Sequence, residues 1–220
     1  MKKIIISFAV ILLAIPAIQA QKVVYGDDVQ KRTISSFHAI ETSSGIEVII
    51  SKGDKEELAV SVGDKAYIDE VRTVVENGIL KVSRSNDNWK FWNKWKNWKV
   101  KVYVSYTNLD AIKANSGGSV NGSDHNLAKL NVRMNSGGSI SLTGNIESLD
   151  VDGSSGAQFR GYSLSTNVCK VEMSSGAGIQ VTVTKEVSAK ANSGGFVRFK
   201  GDGLIRDINV NSGGTVKRQS

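Results

Sequence analysis

From residue 109 onward apolar and polar side chains alternate, and the alternation is interrupted at regular intervals by a Ser-Gly pair followed by a small residue. The first glycines of these pairs are Gly117, Gly137, Gly156, Gly176, Gly194 and Gly213, so successive spacings by subtraction are 20, 19, 20, 18 and 19 residues. Five residues before them stand Ile112, Val132, Val151, Val171, Ala189 and Ile208. Three residues before them stand Ala114, Met134, Gly153, Met173, Ala191 and Val210. Alternate residues of a strand face the same way, so these two columns mark one apolar face. The column between them, Lys113, Arg133, Asp152, Glu172, Lys190 and Asn209, is polar and faces solvent. Past the glycines the alternation resumes, with Val120, Ile140, Phe159, Ile179, Val197 and Val216 three residues on. Each repeat therefore reads strand, glycine corner, strand, variable turn; residues 121–126 and 201–203 are such turns.

A unit of about nineteen residues cannot bury its apolar edge alone, so neighbouring units must stack. The pattern predicts an all-β fold: a right-handed parallel β-helix (β-solenoid) with roughly 19-residue coils, six of them spanning about 25 to 30 Å at the usual strand spacing. Val132, Val151, Val171 and Ile208 are expected to line up inside. Asn115, Asn135, Asn192 and Asn211, two residues before their glycines, are expected to stack amide on amide from coil to coil. Residues 21–108 lack the strict period but hold strand-like runs at 45–50, 58–62, 78–82 and 98–104, with Ser44-Gly45-Ile46 echoing the corner. They are read as irregular first coils and a β cap continuous with the repeats of 109–220, with a short helix at residues 65–76. At the other end, Lys217 and Arg218 are charges that discourage end-to-end strand pairing.

Composition adds the compartment. Residues 1–20 open with Lys2 and Lys3, continue through an apolar stretch at 4–15 and end in Ala17 and Ala20, the pattern of a secretory signal peptide cleaved after Ala20. That stretch is short for a bilayer span and is broken by Pro16, and no further span is expected in the mature chain. The 28 Lys and Arg, less the signal's two lysines, leave 26 against 21 acidic residues, a mature net charge of +5. Pro16 is the chain's one proline, and proline is excluded from central strands because it cannot donate to the ladder. Cys169 is the only cysteine, so no intrachain disulfide is possible. The expected location is extracytoplasmic: periplasm, outer-membrane surface or secreted.

The recurring Ser-Gly-Gly corner, behind Phe37-His38-Ala39-Ile40 and Gly45-Ile46-Glu47-Val48, resembles the bacterial head GIN domain family over nearly the whole mature chain. The resemblance implies a right-handed β-helix on an exported bacterial protein, an adhesin-head role, and no catalytic residues to carry over. The chain to Ser220 shows neither a coiled-coil stalk nor a barrel pattern, so it is not expected to anchor itself.

Candidate chemistry is sparse. His38 and His125 are the only histidines, and neither stands in a recognisable Ser-His-Asp pattern. One Cys and two distant His do not supply a zinc site. No catalytic residue, metal or cofactor is expected. Asp150 and Asp152 with Arg133 and Arg160 are the carboxylate-and-base group that a polysaccharide-cleaving β-helix enzyme would use; their expected role is an exposed charge ladder, with Arg160 beyond the corner. Residues 88–101 stand apart, holding Trp89, Phe91, Trp92, Trp95 and Trp98 interleaved with Lys90, Lys94, Lys96, Lys99 and Lys101, with no acidic residue between Asp87 and Asp110. Trp98 runs in step with Val100, Val102 and Val104 and is expected in the core. Trp89, Trp92 and Trp95, with Lys90, Lys94 and Lys96, are the candidate ligand-binding residues, since aromatic faces stack on sugars or sit at lipid interfaces while lysines attract anions; packing as a cap is the other reading. The expected partner is a glycan, a lipid headgroup or an envelope protein, and export argues against nucleic acid. Three functions compete: a non-catalytic envelope-binding module, a β-helix polysaccharide-active enzyme, and a structural or assembly factor of the envelope.

Overall fold

The computed structural model describes residues 29–85 and 99–220; the signal stretch and the candidate residues Trp89, Lys90, Trp92, Lys94, Trp95 and Lys96, with Trp98, lie outside the described residues. Alternation with a glycine corner gives the expected result. Four long strands, β9 (Ser119–Met134), β10 (Ser139–Gly153), β11 (Gln158–Met173) and β12 (Gly178–Ala191), stack in parallel, one coil above the next. Each is bent midway, where the register shifts, so its first half lies after one corner and its second half before the next. The shorter β13 (Phe196–Lys200) and β15 (Thr215–Arg218) extend the post-corner face, while β14 (Leu204–Val210) extends the pre-corner face. The protein is an all-β solenoid of about five turns with coils of about twenty residues and a mixed N-terminal sheet region.

The corners are built alike. Ser116, Ser136, Ser155, Ser175, Ser193 and Ser212 have φ between 47° and 53°, and the glycine after each has φ of 73° or 74°. Two consecutive left-handed residues define a tight turn that strongly favours glycine at its second centre. The turn closes with the next N–H donating back, Gly138 to the Asn135 carbonyl at 3.0 Å and Gly195 to that of Asn192 at 2.8 Å. Corner also bonds to corner: Gly117 N–H donates to the Ser136 carbonyl and Gly137 N–H to that of Ser155, both at 3.0 Å, and the series continues to Ser212. The ladder therefore runs unbroken around the bend.

Inside, the columns stack by register: Ile40 on Ile112, then Val132, Val151, Val171, Ala189 and Ile208. Ile112, Val132, Val151 and Val171 are at most 2% exposed, but Ile208 is 40% exposed. Ile208 is aligned with the column without being enclosed by it, because β14 belongs to the last rung and has no rung above it. Side-chain sizes compensate along the neighbouring column. A methyl group on Gly153 would lie 2.7 Å from Met173 Sδ, so the glycine makes room for the methionine.

Residues 29–84 join the same ladder. Strands β2 (Ala39–Thr42) and β3 (Glu47–Lys52), linked by the Ser44-Gly45 corner, pair in parallel with β8 (Ala111–Ala114) and β9. On their other side lie β6 (Ile79–Arg84) and β7 (Val100–Tyr106), also parallel to β2 and β3. Strands β6 and β7 thus form a further rung, outside the β2/β3 rung although later in the chain. Antiparallel strands end the stack: β5 (Val71–Glu76) on β6, β4 (Glu57–Val62) on β7, and β1 (Gln30–Arg32) on β4.

Besides Ile208, three expectations differ. The helix expected over residues 65–76 is a 3₁₀ turn, Lys65–Glu70, capped by Asp64, followed by strand β5. Its β-branched Val71, Thr73, Val74 and Val75 favour strand, and the Asn77-Gly78 turn, with φ of 53° and 74°, folds it back on β6. The asparagine amides do not form a ladder: Asn115 donates to Glu41 and Asn211 to Asn209, and Ser154 and Ser174 occupy two of the corners. Residues 121–126 are not a loop but a bend within β9, made at Asp124 with φ of 56°.

Candidate functional site

The segment that holds the Trp/Lys candidates connects β6 to β7, the two strands of the outer rung. Every other described rung of parallel strands passes from face to face through a four-residue corner; here residues 85–99 make the connection. Its two ends are firmly held. The Arg84 guanidinium pairs with Glu70 at 2.8 Å, both side chains at most 15% exposed, and Ser85 N–H donates to the Glu70 carbonyl at 2.8 Å. On the return, Lys99 accepts from Gly63 N–H at 2.9 Å, and Lys101 pairs with Glu47 at 3.5 Å. Val100, Val102 and Val104 are buried, as their alternation implies.

Asp150, Asp152 and Arg133 do come together, on the outward side of the pre-corner face. Arg133 reaches Asp150 at 3.1 Å and Asp152 at 3.7 Å, and Lys170, Glu172 and Lys190 line the same shallow depression of about 130 Å³. Arg133 and Asp152 are half exposed, so these pairs are screened by solvent and contribute little. Arg160 is on the other face, in register with Ser141 and Gln180, its guanidinium donating to Ser139 Oγ at 2.8 Å. The four groups do not converge on one reacting atom. This arrangement is a charge ladder.

The histidines have separate structural roles. His38 Nδ1 lies 2.9 Å from Asp110 Oδ1 at the surface, and no hydroxyl bonds its Nε2 among the described residues. His125 points inward, 2% exposed, its Nδ1 2.6 Å from the Tyr106 hydroxyl. Burial pushes the imidazole down to about 4, against a smaller opposing pull from Asp124, and pushes the Tyr106 hydroxyl up to about 12. Its Nε2 has no partner and faces Gly122, where a methyl group would come within 2.2 Å of it. The inward direction follows from the bend at Asp124 and was not readable from composition. Cys169 is buried in the core, its thiol pushed up to about 12 by burial and by Asp150. Among the described residues no group of three or more His, Cys, Asp or Glu side chains is placed to hold a metal ion.

The post-corner face carries a feature that residue-by-residue reading missed. Its strand segments from the third rung of parallel strands onward read Ser-Val-Asn-Gly at 119–122, Ser-Ile-Ser-Leu at 139–142, Gln-Phe-Arg-Gly at 158–161, Gly-Ile-Gln-Val-Thr at 178–182, Phe-Val-Arg-Phe-Lys at 196–200 and Thr-Val-Lys-Arg at 215–218. None contains Asp or Glu. The signal was the column four residues after each first glycine, Asn121, Ser141, Arg160, Gln180, Arg198 and Lys217, which the register places in one line.

A solved structure shares this architecture. A putative adhesin from Bacteroides fragilis superposes with a TM-score of 0.66 at 15% identity, covering 88% of this chain and 98% of that one. A putative lipid binding protein from Parabacteroides distasonis gives 0.49 at 18% identity (88% and 96% covered), and a putative adhesin from Parabacteroides merdae 0.47 at 16% (88% and 96%). The first of these, at 15% identity, shows a shared fold alone. No curated protein matches the chain. The family model described as "Putative auto-transporter adhesin, head GIN domain" matches residues 36–203, well over half of the 220. The chain therefore belongs to the head GIN domain family.

Proposed function

We propose that the protein is an exported, non-catalytic binding module of the cell envelope, adhesin-like in role, which engages surface groups through its Trp/Lys segment. The observation that carries this reading is the long connection between β6 and β7. Among the described residues every other corner of the ladder takes four residues; this connection runs through residues 85–99, which hold all four tryptophans of the chain beside Lys90, Lys94 and Lys96. Indole rings and ammonium groups together suit sugar rings and anionic headgroups. The family's description as an adhesin head supports this reading.

The test is a Trp92→Ala/Trp95→Ala variant beside the unaltered chain, measured against a glycan panel, vesicles containing phosphatidylglycerol, and isolated envelopes. Binding to at least one of these is expected to weaken at least fivefold, with the melting temperature unchanged. Equal binding by both proteins rejects the segment's role. Cleavage of any glycan on the panel rejects the non-catalytic reading.

A further inference from the structure

From residue 119 onward the strand segments of the post-corner face carry cations and no Asp or Glu. Arg160, Gln180, Arg198 and Lys217 occupy one column on successive rungs, so the three cations span about 14 Å at ordinary strand spacing. None of them, nor Lys200 beside them, has a carboxylate within ion-pair distance among the described residues. On the pre-corner face, by contrast, Lys113, Arg133 and Arg206 each pair with Asp or Glu. The aromatic rings on this face are held by cations and glycine. Phe196 lies across Gly178, where a methyl group would be 1.9 Å from its ring, and the Arg198 guanidinium sits 5.0 Å from the ring centroid. Lys200 Nζ lies 5.2 Å from the Tyr162 ring.

We propose that this face docks an extended anionic polysaccharide lying along the solenoid axis, its acidic groups at Arg160, Arg198 and Lys217 and its hydroxyls at Gln180 and the neighbouring serines. One rung is close to the length of one sugar ring, so a straight glycan stays in step with the column. The proposal rests on the reading of the chain as a binding module but uses a surface other than the Trp/Lys segment. A lipid surface fits less well. The exposed large apolar side chains among the described residues, Val168, Leu204, Ile205, Ile208 and Val210, all belong to pre-corner strands, while the rings of this face, Phe196 and Tyr162, are partly buried beneath Arg198 and Lys200. Duplex nucleic acid, with a charge every ~1.7 Å, calls for far denser cations.

The experiment uses the full chain and three probes: immobilised polygalacturonate, phosphatidylglycerol vesicles and single-stranded oligodeoxythymidine, with dextran as the neutral control. Arg160→Gln/Arg198→Gln/Lys217→Gln is expected to weaken polygalacturonate binding roughly tenfold and flatten its salt dependence. Arg160→Lys/Arg198→Lys should keep most of the binding, which separates charge from folding, and Lys170→Gln/Lys190→Gln on the opposite face should keep all of it. Unchanged binding by the triple Gln variant overturns the proposal, as does a preference of the unaltered chain for vesicles or oligonucleotide over polygalacturonate. If polygalacturonate binding is lost only with Trp92→Ala/Trp95→Ala, this inference falls while the envelope-binding reading stands. If the unaltered chain binds none of the probes and no isolated envelopes, both fall.

Discussion

Ile112 and Ile208 are the same residue type in the same internal column, five rungs apart, yet one is 1% exposed and the other 40%. Replacing each by Ala removes three carbons, about 2.4 kcal/mol of transfer free energy at full burial. At Ile112 the rungs on both sides hold the space open, and the cavity adds about 1 kcal/mol, for a loss of about 3.5 kcal/mol. At Ile208 only about 60% of that transfer term applies and the open end leaves no closed cavity, so the loss is about 1.4 kcal/mol. Equilibrium urea unfolding followed by far-ultraviolet circular dichroism measures both. The expected result is a midpoint shift for Ile112→Ala more than twice that for Ile208→Ala, at equal slopes. Equal losses, or a cost at Ile112 below about 1.5 kcal/mol, refute the idea that Ile112 is enclosed between rungs and Ile208 is not.

Three further outcomes follow from particular contacts. Gly144→Ala puts a methyl group 2.2 Å from the His125 carbonyl oxygen at φ of 115° and should cost more than 3 kcal/mol, whereas Gly137→Ala, at φ of 73° with open space around it, should cost about 1 kcal/mol; thermal melts rank them. The His125 imidazole is held down to about 4 against an unfolded value of 6.5, so the unfolded chain binds the extra proton between these limits and stability falls as pH drops through that window. The loss attributable to His125 is about 3 kcal/mol, read as the difference in pH dependence between the unaltered chain and His125→Gln; parallel curves contradict it. Cys169 should react with a thiol reagent only in denaturant, and rapid labelling of the native protein contradicts its burial.

The corners were legible in the sequence because a turn with two left-handed residues leaves few choices at its second centre, and Ser-Gly recurs wherever the ladder bends. The inward columns were legible because alternation has only two phases. The outer rung was not, since β6 and β7 lack a Ser-Gly corner and sit beyond β2 and β3, reversing chain order. A local pattern carries no information about which strand lies next to which. The same reason hides the exposure of Ile208: its residue type is that of its column, and only the missing neighbour distinguishes it. Of the helix expected over residues 65–76 only a 3₁₀ turn capped by Asp64 forms, because the Asn77-Gly78 turn and the partner strand β6 decide the second half. The cationic column became visible only when the register set Arg160, Arg198 and Lys217 side by side, since in the chain they stand 38 and 19 residues apart.

Spin-label distances along one outward column test the stacking most directly. Glu41, Lys113, Arg133, Asp152, Glu172 and Lys190 occupy successive rungs, with Glu41 adjacent to Lys113 although they stand 72 positions apart in the chain. With Cys169 replaced by Ala, labels at Lys113 and Lys190 should be about 19 Å apart and labels at Glu41 and Lys190 about 24 Å, one strand spacing more. A Glu41–Lys190 distance shorter than the Lys113–Lys190 distance, or a broad distribution without a maximum near these values, contradicts the ladder on which both proposed surfaces are built.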